Sequence, residues 1–299
     1  MFRHTSQLQY AAKPDKPDPV YAHKLQELIG GAFGEMTVAL QYLFQGWNCR
    51  VPGKYKDLIM DTATEEIGHV EMLATMVARL LEGAPATATT KAAAADPVVG
   101  AVLGGMDPQH AIVSGGGAMP IDANGYPWSG KFVVASGNLL ADFQANAAAE
   151  AHGRLQTARL YQMTDDAGVR DMLQFNLARD TVHQLQWLKA IEELQADGLE
   201  PTPVAPNALF DEEKTGDAHA VWHLSDGQAG DQGGWIGTPT PNGDPITYVA
   251  EPVAQGDTGI APPPDPKLYA TYDGSRGAPA SPALGTETGP MGKLKDKLT

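Results

Sequence analysis

Five side chains of the sequence have the types and the spacing of ligands for a pair of metal ions. Glu66 and His69 form a Glu-x-x-His pair, and because residues i and i+3 lie on the same face of a helix, both side chains can reach one ion. Glu35, Glu150 and His183 stand in three other stretches with helical periodicity. Carboxylate and imidazole ligands without a thiolate favour manganese or iron. Two such ions can exchange two electrons with peroxide or dioxygen.

Each of these residues taken alone also has an ordinary structural interpretation. A lone Glu35 on an apolar stripe is often salt-bridged, Glu-x-x-His strings occur by chance, and His183 beside Asp180 can be a satisfied histidine. The joint pattern favours metal, because three carboxylates in one core are too costly to desolvate unless cations neutralise them. Five ligands for two ions leave coordination positions open, which is typical of a catalytic centre.

The glycines and prolines indicate where the helices that position these residues lie. Residues 21–82 and 136–198 hold only 11 of the 33 glycines and 23 prolines, and apolar residues recur there at intervals of three and four. The four predicted helices span 21–49, 55–82, 137–163 and 167–197. Two helical hairpins joined by one long crossover are the connectivity of an all-α, ferritin-like four-helix bundle.

Three segments lie outside the predicted helices. Residues 1–20 are expected to form an extended N-terminal arm ahead of the bundle, which spans 21–198. Residues 83–135 form the crossover between the second and third helices, and they are far longer than an ordinary loop. Residues 199–299 are rich in turn signals and poor in apolar runs. We expect an irregular C-terminal arm that packs on the bundle or on a neighbouring subunit, and plain disorder is the alternative.

Charge and composition exclude several classes of protein. The 299 residues carry a formal net charge of -15 without a basic cluster, which argues against a nucleic-acid or anionic-membrane partner. There is no signal-peptide pattern and no apolar run long enough to span a membrane. The single cysteine, Cys49, excludes an internal disulfide and indicates a reducing, cytoplasmic compartment.

Four segments of the sequence resemble the core helices of the manganese catalases, which are non-haem enzymes that dismutate hydrogen peroxide. These segments are GEMTVALQYLFQGWN (34–48), TATEEIGHVEM (62–72), AEAHGRLQTARLYQMTDD (149–166) and VRDMLQFNLARDTVHQLQWLKAIEEL (169–194). The resemblance covers both predicted hairpins, and the crossover and the tail also fit the plan of the family.

The resemblance implies a site, a reaction and an assembly. The implied manganese ligands are Glu35, Glu66, His69, Glu150 and His183. The two manganese ions of the family cycle between the +2 and +3 states, so that one peroxide is reduced to water and the next is oxidised to dioxygen. Members form homo-oligomers, namely hexamers in which the C-terminal arm lies over neighbouring subunits.

The sequence departs from the pattern around these ligands. Many di-metal bundles carry Glu-x-x-His in the fourth helix, whereas Asp180 stands in the acid position here. Its reach is shorter, so we expect Asp180 to hydrogen-bond near the site and not to bind metal. Tyr42, two turns after Glu35, is a candidate hydrogen-bond donor to a ligand, with core packing as the alternative. Arg154 and Arg179 could supply positive charge to the substrate pocket.

Some members of the family also bind calcium at a subunit contact, and part of that pattern is present. Asp57 and Asp61 match two acids one turn apart on the second helix. Ser225 and Gly227 match part of a second stretch, in which His223 replaces an asparagine. Calcium prefers oxygen ligands, so His223 could contribute only its backbone carbonyl comfortably. A calcium ion at these residues is a hypothesis, and a solvated acidic face is the alternative.

Two other functions of ferritin-like bundles compete with the catalase interpretation. The first is iron binding and storage, which would consume peroxide without releasing dioxygen. The second is a di-iron peroxidase or oxygenase, for which Cys49 alone could not provide a rubredoxin-type electron donor within the chain.

Overall fold

Two long helical hairpins make up most of the chain that the structure describes. The structure is a computed structural model, and it describes residues 5–83, 98, 106–214 and 216–256. The helices are α1 (Pro19–Leu25), α2 (Glu27–Gly30), α3 (Glu35–Asn48), α4 (Lys54–Leu81), α5 (Leu139–Gln162) and α6 (Ala167–Ala196). A π-helical turn lies at Gln109–Val113, and 3-10 turns lie at Gly130–Phe132 and Asn207–Glu212.

The helices pair as the sequence predicts. Helix α3 packs along α4, and α5 packs along α6. The side chains of Asn138 and Asp166 cap the second hairpin's helices by accepting hydrogen bonds from the backbone N–H groups of Ala141 and Val169. The predicted ferritin-like four-helix bundle is confirmed, and α4, α5 and α6 begin and end within two residues of their predicted bounds.

The prediction of one continuous helix at 21–49 is wrong, because this stretch forms α1, α2 and α3. The break lies at closely packed glycines. A Cβ atom at Gly30 would lie 2.4 Å from the backbone of Ile121 in the crossover, and one at Gly31 would lie 2.4 Å from the carbonyl oxygen of Glu27. The break makes Glu35 the first residue of α3.

Two apolar clusters fill the bundle on either side of a polar layer. The first cluster includes Leu25, Leu28, Met72, Met76, Leu80, Met172 and Leu173. The second includes Tyr42, Ile59, Leu140, Phe143, Trp187 and Leu194. On α4 the second cluster contributes residues 55–63 and the first contributes residues 72–81, so that Glu66 and His69 fall between them. Burial of these apolar side chains supplies the main force that holds the helices together.

The crossover is fixed to the break between α2 and α3 by one buried side chain. The amide nitrogen of Gln26 donates to the carbonyl oxygens of Met119 (2.6 Å) and Ile121 (3.1 Å). Its amide oxygen accepts from the backbone N–H of Met119 and contacts Nε2 of His110 at 3.0 Å. All the hydrogen-bonding capacity of this buried amide is therefore used between the helices and the crossover. Residues 84–97 and 99–105 of the predicted crossover lie outside the described residues.

The described residues divide into two compact units. The first holds residues up to Ala218 together with Thr240–Asp244, and the second holds His219–Pro239 with the described residues from Pro245. In the second unit β1 (Ala220–Trp222) and β2 (Thr247–Val249) form a parallel pair, with Val221 opposite Tyr248. The packing of a C-terminal arm at 199–299 on neighbouring subunits stays a prediction, and residues 257–299 lie outside the described residues. No described helix is long and apolar enough to cross a membrane.

The substitution Gly30→Ala tests the close approach between α2 and the crossover. Its methyl group would collide with the backbone of Ile121, so we expect the free energy of unfolding to fall by about 1–3 kcal/mol. The measurement is chemical denaturation followed by circular dichroism. Gly130→Ala is the control, because nothing lies within 4 Å of its Cβ position. Equal stability of the two variants would contradict the packing described above.

Candidate metal centre

Six buried ionisable side chains meet in the polar layer of the bundle. They form two groups that share Glu66, and within each group one ligand atom from every residue lies within 4.8 Å of the others. The first group is Glu35, Glu66, His69 and Asp180, and the second is Glu66, Glu150 and His183. The structure thus brings together all five predicted manganese ligands and adds Asp180. Two adjacent cation positions with one common carboxylate are the arrangement that a dinuclear site requires.

The helices place these side chains on inward faces. Glu66 and His69 lie three residues apart on α4, as Asp180 and His183 do on α6, so each pair projects from one face of its helix. Glu150 projects from α5. Glu35 begins α3, where the positive end of the helix dipole favours a carboxylate.

Glu66 occupies the centre of the site. Its Oε2 lies 2.7 Å from Nδ1 of His69, and its Oε1 lies 2.7 Å from Nδ1 of His183. The other acids surround the same two nitrogens. Nδ1 of His69 lies 3.6 Å from Oε2 of Glu35 and 3.9 Å from Oδ1 of Asp180, and Nδ1 of His183 lies 3.8 Å from Oε1 of Glu150. The two imidazole rings stack with their centroids 5.6 Å apart.

The buried polar atoms of the site lack hydrogen-bond partners among the described residues. Both carboxylate oxygens of Glu66 and both ring nitrogens of His69 and of His183 make no hydrogen bond, although they are close together. Such atoms are normally paired, because an unpaired buried polar group is costly. Coordination of cations would satisfy the oxygens and the Nδ1 atoms. Oxygen and nitrogen donors without a thiolate suit manganese or iron, so the residues present fit a dinuclear centre of either metal.

The pKa values of the carboxyl groups in the site also favour bound cations. Burial and the charge of Glu66 raise the pKa of Glu35 to about 7, and burial with neighbouring carboxylates raises the pKa of Glu150 and of Asp180 well above their ordinary values. Burial also acts against ionised Glu66, but the two imidazoles outweigh it and hold the pKa of Glu66 well below its ordinary range. The metal-free cluster therefore retains protons, which cations would displace on binding.

Two buried side chains orient the carboxylates. The hydroxyl of Tyr42 donates to Oε1 of Glu150 at 2.6 Å, which is the contact that the sequence suggested for this residue. The amide nitrogen of Asn176 donates to Oε1 of Glu35 (2.9 Å) and to Oδ2 of Asp180 (2.9 Å). Asp180 therefore makes the expected hydrogen bond, and it also lies close enough to the other donors to be a ligand. Its role as a hydrogen-bonding residue and not a ligand stays a prediction.

Sequence reasoning missed one acid of the site, Glu65. Its Oε2 lies 3.3 Å from Nε2 of His183, and its Oε1 lies 3.8 Å from Nε2 of His69. The i, i+4 spacing from Glu65 to His69 could have indicated this contact, but the neighbouring Glu66 was assigned as the acid that accompanies His69. Both arginines that were considered for the substrate pocket are engaged by other residues. Arg179 pairs with Glu65 at 2.5 Å. Arg154 donates to the carbonyl oxygen of Leu177 and to Thr181.

The residues of the proposed calcium site lie in two different units of the structure. Asp57 and Asp61 lie one turn apart on α4, and both are exposed. Ser225 and Gly227 lie in the second unit, where the backbone N–H of Gly227 donates to Oγ of Ser225 at 3.2 Å. The ring of His223 contacts the hydroxyl of Tyr248 at 2.6 Å. The calcium site stays a prediction.

Comparisons with known proteins agree with this geometry. Residues 1–279 match the family described as manganese containing catalase. The chain is 56% identical over 275 residues to a manganese catalase of Bacillus subtilis strain 168, with 92% of this chain and 99% of the relative covered. It is 43% identical over 270 residues to a manganese catalase of Lactiplantibacillus plantarum, with 90% of this chain and 98% of the relative covered.

A solved structure shows the same fold. The crystal structure of KatB, a manganese catalase from Anabaena, matches with a TM-score of 0.62 at 26% sequence identity, and the match covers 84% of this chain and all of that chain. The family match, the identity to curated relatives and the paired donor groups around Glu66 lead to one assignment. The chain belongs to the manganese catalase family.

Proposed function

We propose that this protein dismutates hydrogen peroxide to water and dioxygen at a dinuclear manganese centre. The observation that carries the proposal is the pair of buried donor groups that share Glu66, in a chain that belongs to the manganese catalase family. Glu35, Glu66, His69, Glu150 and His183 would hold two manganese ions per chain. When bound, the pair supplies the exchange of two electrons with each peroxide by cycling between the +2 and +3 states.

The surrounding residues prepare the site for peroxide. Asp180 offers a carboxylate that burial and its acidic neighbours make more basic than usual. We propose that it accepts a proton from the peroxide that is oxidised to dioxygen and donates a proton to the peroxide that is reduced to water. Asn176 holds this carboxylate through both oxygens, at 3.1 and 2.9 Å. The hydroxyl of Tyr42 fixes Glu150 by donating to one of its oxygens, Oε1. The apolar clusters at the two ends of the polar layer exclude bulk water and keep these interactions strong.

We also propose an assembly, a second kind of metal ion and a location for this protein. We infer a homo-oligomer, namely a hexamer, which Leu155, Leu185 and Leu188 support because large apolar side chains are exposed there on the second hairpin. The exposed Asp57 and Asp61 support an additional calcium ion. We further propose a cytoplasmic location, as the single cysteine suggests.

The products and the metal distinguish the catalase from its two rivals. We expect the purified protein to contain manganese, to show no haem absorption, and to release one dioxygen for every two peroxides consumed. An oxygen electrode and elemental analysis measure these quantities. Peroxide loss without dioxygen, in a protein loaded with iron, would favour an iron-storing ferritin or a di-iron peroxidase and would reject the proposal.

Loss of a ligand should abolish turnover by losing metal. In Glu66→Ala both donor groups lose their common carboxylate, and in His183→Ala the second group loses its imidazole. We expect manganese content and dioxygen release to fall at least about 100-fold in both variants, because a ligand should matter no less than the groups that orient it. His152→Ala is the control, since His152 is exposed and belongs to neither group. Retained manganese with full activity in either variant would refute the ligand assignment.

Asp180→Asn separates proton transfer from metal binding. The amide has the same shape but cannot serve as a base, so we expect the turnover number to fall about 10²- to 10⁴-fold while manganese remains bound. Asp171→Asn on the exposed side of α6 is the control. Steady-state dioxygen release and manganese analysis of both variants give the comparison. A loss of manganese in step with activity would instead identify Asp180 as a ligand.

A further inference from the structure

The two histidines of the site each have a second ring nitrogen that faces away from the metal-binding groups. In both rings Nδ1 faces the shared carboxylate of Glu66 at 2.7 Å. Nε2 of His69 and Nε2 of His183 are therefore on the outer side. Both atoms are buried and make no hydrogen bond among the described residues.

If Nδ1 of each ring binds metal, Nε2 carries the proton and requires a hydrogen-bond acceptor. A neutral imidazole that binds a metal through one nitrogen carries its proton on the other. The Nε2–H group is then a donor, and a buried donor requires an acceptor. Among the described residues, the carboxylate that lies within 4.0 Å of these Nε2 atoms is that of Glu65, at 3.3 Å from His183 and 3.8 Å from His69.

Arg179 holds Glu65 in this place. Its Nε lies 2.5 Å from Oε1 of Glu65, and its terminal nitrogen lies 3.2 Å from Oε2, so the guanidinium engages both carboxylate oxygens. The carboxylate of Glu65 is therefore an acceptor whose orientation is fixed from the side opposite to the histidines.

Glu65 also borders a surface groove of about 610 Å³, which is lined by Gln9, Asp61, Thr64, Phe175 and Arg179. Its side chain is 26% exposed, whereas the side chains of His69 and His183 are 0% and 1% exposed. Glu65 and Arg179 thus separate the histidines from the groove. A substitution at Glu65 can place its new side chain against this open space and need not create a cavity in the core.

We propose that Glu65 is a positioning residue that orients both imidazole ligands at once. Its Oε2 accepts the Nε2–H of His183, and its Oε1 accepts that of His69 after a small shift of the His69 ring, so a single acid presents both Nδ1 atoms to the manganese pair. The inference rests on the proposed manganese site. The shorter contact assigns the stronger effect to His183.

The experiment compares Glu65→Met with Glu65→Gln, which have similar size and both remove the ion pair with Arg179. Only glutamine retains an oxygen that can accept an Nε2–H group. We expect the manganese affinity of Glu65→Met to fall about 10- to 100-fold, and that of Glu65→Gln to fall clearly less. Competition of the purified holoprotein against a chelating manganese indicator gives the affinities. Electron paramagnetic resonance of the reduced manganese pair should change more in the methionine variant.

Glu71→Met is the control, because Glu71 is an exposed acid on the same helix. Circular dichroism checks the fold of each variant, and Glu65→Ala replaces the methionine variant if that one does not fold. Equal affinities and spectra in Glu65→Met and Glu65→Gln would overturn the inference, as would wild-type affinity in both. A wild-type protein that binds no manganese would instead reject the proposed function.

Discussion

The crowding of buried carboxylates into one polar layer is the constraint on which the rest of this structure depends. Four acids and two histidines lie in the polar layer of the bundle, and the oxygens of Glu66 have no hydrogen-bond partner among the described residues. Carboxylates packed this closely repel one another and lose hydration. Bound divalent cations would reverse this balance, because they would convert the same oxygens from mutually repelling charges into ligands. The apolar clusters on either side strengthen electrostatic interactions in the polar layer by excluding water.

Hydrogen bonds around the polar layer keep the donors in place. Tyr42 joins α3 to α5 through Glu150, and Asn176 joins α6 to α3 through Glu35. The ion pair between Glu65 and Arg179 joins α4 to α6. Each of these links connects a helix of the first hairpin to a helix of the second. The site is thus held by the same contacts that align the two hairpins.

Helical periodicity was enough to predict α4, α5 and α6 and the inward faces of the candidate ligands on them, because a residue's face on a regular helix follows from its position. It failed at 21–49, where the break depends on the approach of Ile121 to Gly30, two residues that are far apart in the sequence. It also passed over Glu65, because adjacent residues on a helix point about 100° apart and Glu66 already fills the inward position. The contacts of Glu65 with His183 and Arg179 are made to α6, and the sequence pattern of α4 alone does not show them.

The sharing of donors between the hairpins has a consequence for how the chain holds together. The first hairpin carries Glu35, Glu66 and His69, and the second carries Glu150, Asp180 and His183. Each donor group draws on both hairpins, so neither hairpin alone assembles a complete set. The two hairpins also contact each other much less than their own helices do. Manganese bound by both groups would therefore act as a removable cross-link between the two hairpins, at the place where they contact each other least.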